Sequence, residues 1–234
     1  MGLWSPHPAR LHHDGPPARA ACRTVSPRRP APEESPSLVA EIEGYRRDPE
    51  FLATLRGRDF RFRTAWGLFS PREVDLGSAL LIEHLDEVGV TEGADTVDIG
   101  CGYGAIGLVL ASMAPRGETW LLDKDFVAVE RARLNAEANH LTNVKAVLSN
   151  GLSAVPPGRL FDVATANLPA KAGNEMLTLI LADAHAHLKP GGRLTVVTTN
   201  ALRRFIERMF EELFGNSEKV KQGRLHTVSM AEKR

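Results

Sequence analysis

A glycine-rich loop flanked by two acidic residues is the first feature of the sequence that could bind a ligand. The stretch DIGCGYGAIG places Gly100, Gly102 and Gly104 directly after an apolar run, and Asp98 precedes them by two residues. Glycines let the backbone turn tightly and approach a ligand without Cβ clashes. Asp123 ends the next apolar run, where a carboxylate can bind ribose hydroxyls. The pattern predicts a site for a ligand that carries positive charge and a ribose.

The same loop also fits a dinucleotide-binding pattern. Gly102, Gly104 and Gly107 satisfy GxGxxG, which is a weak signal on its own. The carboxylate of Asp98 would repel a pyrophosphate placed beside it. An NAD-dependent oxidoreductase therefore stays a minor alternative.

A second motif, TANLPAKAG, ends another apolar run on Asn167, Leu168 and Pro169. Asn and Pro are ordinary turn residues, so a turn is the simpler interpretation of these residues alone. At the carboxyl end of a parallel strand, however, the same triplet would lie where ligands bind. Both interpretations stay open at the level of the residues.

Alternating strand-like and helix-like segments place both motifs in one sheet. From Ala94 onwards, strands alternate with helices across short connections, which predicts parallel strands covered on both faces. SEKVKQ and RLHTVSMA are separated by little more than Gly223, so they should form an antiparallel hairpin. The predicted fold class is α/β: a doubly wound, mostly parallel seven-stranded sheet with a C-terminal antiparallel hairpin.

The sequence divides into three parts. Residues 1–36 hold eight of the fifteen prolines and five arginines, and we expect a disordered Pro/Arg-rich tail. Residues 37–77 should contain N-terminal helices and strands, including a helix that begins near Ser35-Pro36 and a second helix over residues 48–57. Residues 78–234 should form the ligand-binding domain.

Composition excludes several classes of protein. Basic and acidic residues both number 29, so the net charge of the protein does not indicate a nucleic-acid or membrane partner. The only cysteines are Cys22 and Cys101, which argues against a disulfide framework or a metal site and favours the reducing cytoplasm. No apolar run approaches the ~18 residues that span a bilayer. The start of the chain lacks the apolar core of a secretion signal.

The glycine loop resembles a known cofactor site. DIGCGYGAIG, with Asp123 after the second strand, is similar to the loop of class I S-adenosylmethionine-dependent methyltransferases. More narrowly, WGLFSPREVDLGSALLIEHL (residues 66–85) resembles the small-methyltransferase-domain family, which includes bacterial 16S ribosomal RNA guanine-N2 methyltransferases. The resemblance covers about residues 60–233. It implies methylation of an exocyclic base nitrogen in RNA, most simply ribosomal RNA; alternatives are methylation of a small molecule or protein side chain, or a binding module that has lost catalysis.

The resemblance also implies roles for individual residues around the cofactor, S-adenosylmethionine. The implied cofactor-binding residues are Gly77, Ser78, Asp98, Gly100, Gly102, Gly104, Asp123 and Asn150. Asp98 would engage the amino group, directly or through water, while Asp123 would bind the ribose and Asn150 the adenine. Ser78 could instead, or in addition, cap a helix. No metal is implied.

The implied catalytic residues are Asn167, Leu168 and Pro169. An exocyclic amine is a poor nucleophile, and two acceptors, the Asn167 side-chain oxygen and the Leu168 carbonyl, would favour a pyramidal nitrogen. The family has Asn-Pro-Pro followed by an aromatic or apolar residue, whereas this sequence has Leu168 and Ala170. Ala170 offers no ring for stacking a base, a contact worth ~1–3 kcal/mol. Trp66 or Phe69 could supply one.

A cluster of arginines just before this segment is a candidate RNA-binding surface. Its members are Arg56, Arg58, Arg61 and Arg63. Arginines bind phosphates without reading sequence, but the same pattern is typical of a solvated strand face. Both interpretations stay open.

Overall fold

The computed structural model describes residues 37–234. The tail predicted for residues 1–36 lies outside the described residues. Residues 42–234 form one compact unit, which carries the sheet and both motifs. Between residues 37 and 234, no helix is long and apolar enough to cross a membrane.

The described part of the chain alternates helices and strands. The helices are α1 (Leu38–Tyr45), α2 (Leu76–Glu83), α3 (Leu85–Val88), α4 (Ala105–Met113), α5 (Phe126–Ala138), α6 (Asn174–Ala186) and α7 (Arg203–Phe214), with a 3₁₀ turn at Asn200–Leu202. The strands are β1 (Glu50–Leu55), β2 (Arg58–Arg63), β3 (Thr96–Ile99), β4 (Thr119–Asp123), β5 (Val144–Leu148), β6 (Phe161–Asn167), β7 (Leu188–Thr199), β8 (Glu218–Gln222) and β9 (His226–Glu232).

The main sheet has seven strands in the order β5-β4-β3-β6-β7-β9-β8. Strands β3 to β7 are parallel, and β9 pairs antiparallel with β7 and β8. The predicted fold class, including the C-terminal hairpin, is confirmed. The chain runs from β3 to one edge and returns through β6 on the other side, which creates a switch point between these two strands. Because Ile99 aligns with Ala166, the glycine loop and Asn167 leave the sheet side by side.

Two apolar layers bury the sheet from both faces. Helices α6 and α7 cover one face with Leu181 and Phe210, which are fully buried. Helices α2, α4 and α5, together with β1 and β2, cover the other face with Phe60 and Leu108. All four residues of β3 are buried, as expected for a central parallel strand. The site at the end of β3 therefore rests on a rigid support.

The helix predicted for residues 48–57 is wrong, because this segment forms strand β1 and pairs antiparallel with β2. Alternate β1 residues, such as Phe51 and Leu55, are partly buried, which is the period of a strand. Arg56 and Gly57 follow with positive φ angles of 50° and 76°, and such angles favour a tight hairpin turn. Pro49 is typical of the first turn of a helix, but the alternation of exposed and partly buried residues favours a strand.

The outer edge of β2 is closed by side chains of Asn135 in α5 and of Asn139, which caps the C-terminal end of the helix. The Asn139 side chain accepts from the Arg61 backbone N–H at 2.9 Å and donates to the Arg61 carbonyl at 2.7 Å. One helical turn earlier, Asn135 makes the same pair of bonds to Arg63, at 2.8 and 3.0 Å. Asn135 also donates to the carbonyl of Tyr103 in the glycine loop at 2.9 Å. The hairpin, α5 and the glycine loop are thus joined by hydrogen bonds.

Candidate functional site

The glycine loop is held against the end of β4 and is open on its other side. The backbone N–H groups of Gly100 and Cys101 donate to the Leu122 carbonyl at 2.8 and 3.0 Å. The N–H of Gly102 donates to the Asp123 carboxylate at 2.9 Å. A Cβ built on Gly100 or Gly102 would meet no heavy atom within 4 Å, and both φ angles are positive. The loop therefore forms a backbone cradle that a ligand can approach.

Two later glycines of the motif serve packing. A Cβ on Gly107 would lie 2.7 Å from Leu121 Cγ, and one on Gly104 would lie 3.2 Å from Leu121 Cδ2. Helix α4 can approach β4 this closely only without these side chains. The GxGxxG match is thus partly a requirement of helix–strand packing, so it carries little weight for a dinucleotide.

Asp98 is buried directly beneath the loop. Its Oδ2 accepts from the Gly107 N–H at 3.0 Å, and its Oδ1 accepts from the Thr165 hydroxyl at 3.0 Å. Burial raises the pKa of Asp98 to about 7, although these hydrogen bonds oppose the rise, and the nearby Asp123 carboxylate adds to it. Both oxygens have protein partners, so direct contact with a ligand amino group stays a prediction. A cationic ligand in the loop would supply charge that offsets the buried carboxylate.

Asp123 and Asn150 lie at the carboxyl ends of neighbouring strands. Besides holding Gly102, the Asp123 carboxylate accepts from the Asp125 N–H at 2.9 Å. Asn150 is exposed and follows β5, and the preceding Ser149 N–H donates to the Asp123 carbonyl at 2.8 Å. The structure places both residues on the loop side of the sheet, as the predicted ribose and adenine contacts require.

Asn167 is the last residue of β6, and the structure gives its amide nitrogen two acceptors. Nδ2 lies 3.1 Å from Asp75 Oδ1 and 3.0 Å from Ser78 Oγ. The backbone N–H of Leu168 donates to the Val197 carbonyl at 3.0 Å. Within residues 37–234, no donor contacts Asn167 Oδ1 or the Leu168 carbonyl oxygen. The motif therefore presents two free acceptors at the switch point, and Pro169, which follows them, is exposed.

Helix α2 brings its first turn against Asn167. The helix is capped by Asp75, whose side chain accepts from the Gly77 and Ser78 N–H groups. The interpretation of Ser78 as the cap is therefore wrong, and its hydroxyl is instead a partner of Asn167. A Cβ on Gly77 would lie 3.1 Å from Asp75 Oδ1 and 3.5 Å from Asn167 Nδ2. Gly77 and Ser78, predicted at the cofactor, thus also border the predicted catalytic asparagine.

Asp75 and Tyr103 are site residues that sequence reasoning missed. An aspartate directly before an apolar helical run is a helix-start signal, and it could have identified Asp75 as a cap but not as a partner of Asn167. The Tyr103 hydroxyl donates to the Glu73 carbonyl at 3.0 Å and ties the segment before α2 to the glycine loop. Burial raises the pKa of the Tyr103 phenol. This hydroxyl is therefore a structural donor.

The predicted arginine cluster is largely engaged within the protein. Its members, on or beside the β1–β2 hairpin, are Arg56, Arg58, Arg61 and Arg63. Arg56 forms an ion pair with Asp86, and Arg63 pairs with Glu50 at 2.6 Å. Arg58 donates to the Asn139 carbonyl at 2.9 Å. Binding of RNA by this cluster stays a prediction.

No metal site is evident in the described residues. Among residues 37–234, no three His, Cys, Asp or Glu side chains are grouped closely enough to hold a metal ion. Cys101 is buried in the glycine loop, and burial raises the pKa of its thiol. A reactive thiolate is thus disfavoured there.

The fold and the site together define the class of the protein. A parallel sheet with a reversed β9, a glycine cradle after β3 and a carboxylate after β4 form the class I methyltransferase fold. The family comparison narrows the class: residues 59–229 match the methyltransferase small domain. The chain belongs to the methyltransferase small domain family, and the predicted resemblance is confirmed.

Several relatives are similar over most of this chain. The YbxB protein of Bacillus subtilis (strain 168) is 37% identical over 181 residues, which cover 76% of this chain and 89% of YbxB. Ribosomal RNA small subunit methyltransferase C of Pseudomonas syringae pv. syringae (strain B728a) is 34% identical over 161 residues, or 67% of this chain and 46% of that protein.

A solved structure shows the same likeness. The T. thermophilus 16S rRNA N2 guanine methyltransferase RsmC, in complex with AdoMet and guanosine, matches with a TM-score of 0.73 and 31% identity. The match covers 79% of this chain and 50% of that one. The chain thus spans about half the length of these two methyltransferases, but most of YbxB.

Proposed function

We propose that this protein is an S-adenosylmethionine-dependent methyltransferase that methylates an exocyclic amine of a base in ribosomal RNA. The observation that carries the proposal is a pair of acceptors at the switch point beside the glycine cradle, Asn167 Oδ1 and the Leu168 carbonyl, to which no donor among residues 37–234 bonds. These acceptors can hold the two hydrogens of an amine. Holding them turns the nitrogen lone pair out of conjugation with the ring and aims it toward the cradle.

The residues around the cradle fit S-adenosylmethionine. This cofactor supplies an electrophilic methyl group on a positively charged sulfur. Gly100 and Gly102 leave room for its methionine part, Asp123 can bind the ribose, and Asp98 contributes a negative field from beneath the loop. With a donor this reactive, positioning and electrostatics can supply most of the catalysis, and no base with a tuned pKa is required.

Exposed and partly exposed basic residues at the same edge of the sheet support an RNA substrate. Lys171 follows β6, Arg203 and Arg204 begin α7 after β7, and Arg224 lies in the β8–β9 turn. None of the four forms an ion pair with another of the residues 37–234. Basic side chains near the reacting group can bind phosphates and position the strand. Named relatives that act on ribosomal RNA agree with this substrate, which would place the protein in the cytoplasm.

Ala170 is the observation that favours a second candidate, a methyltransferase of a small molecule or a protein side chain. It is exposed and offers no ring for a base. Trp66 is engaged by Arg72, whose guanidinium lies 4.9 Å over its ring. Phe69 is 73% exposed in the segment that leads to Asp75, so it is the better candidate for stacking a base.

Single-turnover methyl transfer tests the proposal. The protein is mixed with labelled S-adenosylmethionine and ribosomal RNA from a strain that lacks its gene, and the modified nucleotide is mapped by mass. We expect transfer to one exocyclic amine, and a loss of about 10²–10³-fold in Asn167→Ala with cofactor affinity almost unchanged.

Cofactor binding and methyl transfer to RNA are tested separately. Asp123→Ala should strongly weaken binding of S-adenosylmethionine in calorimetry, because the side chain holds Gly102 and would also bind the ribose. If Asn167→Ala still transferred the methyl group at the wild-type rate, the Asn-Leu-Pro motif would be only a turn with no role in catalysis. Cofactor binding without transfer to RNA would favour the second candidate.

A further inference from the structure

We propose that Asp75 and Ser78 orient the Asn167 amide so that it faces the substrate only as a hydrogen-bond acceptor. The inference rests on the proposed function, since it concerns the group that would hold the target amine. It adds two positioning residues, and it states a chemical requirement: the reacting atom must carry hydrogens that it can donate.

The two hydrogens of Asn167 Nδ2 both have partners inside the protein. One acceptor is Asp75 Oδ1 at 3.1 Å, and the other is Ser78 Oγ at 3.0 Å. An amide nitrogen has no further hydrogen to donate. The flipped amide would place Asn167 Oδ1 against the Asp75 carboxylate, which can only accept, so this orientation is repulsive. The chemistry of the neighbours thus fixes the direction of the amide.

Asp75 is itself held in place by the helix that it caps. The same oxygen, Oδ1, accepts from the Gly77 N–H at 2.9 Å and from the Ser78 N–H at 3.1 Å. A carboxylate at a helix N-terminus is further stabilised by the helix dipole. Asp75 therefore cannot turn away from Asn167 without uncapping α2, and the buried Ser78 side chain moves with the same turn.

This arrangement determines what the site can accept. A carboxylate that accepts from one end of an amide polarises it and increases the negative charge on its oxygen. Asn167 Oδ1 and the Leu168 carbonyl then form a pair of acceptors, to which none of the residues 37–234 donates a hydrogen bond. An N–H₂ group satisfies both acceptors. A ring nitrogen without a hydrogen, a carbonyl or a phenolate would place acceptor against acceptor and be rejected.

Hydrogen exchange of the Asn167 side chain tests the orientation in the free protein. In ¹⁵N-labelled protein, the signal is assigned by its loss in Asn167→Ala. Both hydrogens should exchange at least about tenfold more slowly than those of exposed Asn174. Ser78→Ala and Asp75→Ser should each release one hydrogen from protection. Exchange of both hydrogens as fast as in Asn174 would overturn the inference.

Kinetics test the role in positioning. At saturating cofactor, we expect single-turnover transfer to fall about tenfold in Ser78→Ala and about 100-fold in Asp75→Ser, with RNA affinity retained. Serine still caps a helix but is too short to hold Asn167 as well. Asp75→Asn should restore most of the rate, because the Gly77 and Ser78 N–H groups would keep its amide oxygen in the same place. Ser112→Ala, far along α4, is the matched control.

The two proposals fail in different ways. A wild-type protein that does not methylate RNA, but protects the Asn167 amide, would refute the proposed function and leave the orientation standing. Wild-type rates in Asp75→Ser and Ser78→Ala, with Asn167→Ala inactive, would overturn the orientation and leave the proposed function standing.

Discussion

Substitution of Gly77 by alanine should separate the geometry of the site from the stability of the fold. The added Cβ would lie 3.1 Å from Asp75 Oδ1, 3.3 Å from His226 Cδ2 and 3.5 Å from Asn167 Nδ2. The first two distances are shorter than ordinary contacts, so Asp75 or His226 must move by a few tenths of an ångström. Such a movement changes the position of Asn167, because Asp75 holds it directly.

The magnitude follows from two opposing effects. Alanine in the first turn of α2 gains up to about 1 kcal/mol of helix propensity, which offsets the local crowding, so stability should change by less than about 1 kcal/mol. A displacement of 1 Å at a reacting group can cost about 10² in rate, and a few tenths of that should cost about five- to tenfold. We therefore expect a slower enzyme that unfolds at nearly the same temperature.

The assay is single-turnover methyl transfer at saturating cofactor, beside thermal unfolding of the same preparation. Gly93→Ala is the matched control, since a Cβ at Gly93 meets nothing within 4 Å and its φ angle is not positive. A Gly77→Ala protein with the wild-type rate would refute the reasoning. So would a large loss of stability, because the rate could then reflect unfolding.

Two further predictions concern the buried polar groups. Because burial raises the pKa of Asp98 from 3.8 to about 7, the folded apo protein holds a proton that the unfolded chain releases above pH 4. The contribution of Asp98 to stability should fall by up to about 4 kcal/mol as the pH rises through this window. Measured by urea unfolding, the free energy of unfolding of Asp98→Asn should therefore increase relative to that of the wild type between pH 5 and pH 8. A difference between the two proteins that does not change with pH would contradict this. Asn135→Ala should cost about 2–4 kcal/mol in the same assay, because it leaves two β2 backbone groups and the Tyr103 carbonyl without partners. Exposed Asn174→Ala should cost little, and an equal cost for both would contradict the role of Asn135.

The parts of the fold that local patterns encode could be predicted from the sequence. The parallel strands, the glycine loop and the C-terminal hairpin each depend on periodicity or turn residues within a short window. The sequence predicts a helix in place of strand β1 because Pro49 resembles a helix start, and six residues of alternation are a short signal. The helix-start signal and the strand alternation compete in this segment, and pairing with β2 determines that it forms a strand.

The contacts that complete the site could not be predicted in this way. Asp75 and Asn167 are 92 residues apart, and Asn135 and Arg63 are 72 apart. Each side chain satisfies a local rule as well, such as a helix cap or a polar helix position, so nothing in the sequence indicates its distant partner. Such contacts appear only once the sheet order has brought α2 to β6 and α5 to β2.

Asn135 in α5 and Asn139 at the end of that helix also affect the order in which the chain can fold. A hairpin of two strands is at best marginally stable in water by itself. Here, Asn135 and Asn139 supply the hydrogen bonds that a third strand would otherwise make, but they are synthesised some 72 residues after the strand that they complete. Until α5 forms, Phe60 and Phe62 lack their burial site and β2 has an unpaired edge, the kind of surface that promotes aggregation. A fragment that ends before α5 would therefore be exposed to misassembly, and the β1–β2 hairpin depends for its folding on a helix that follows it by some 72 residues.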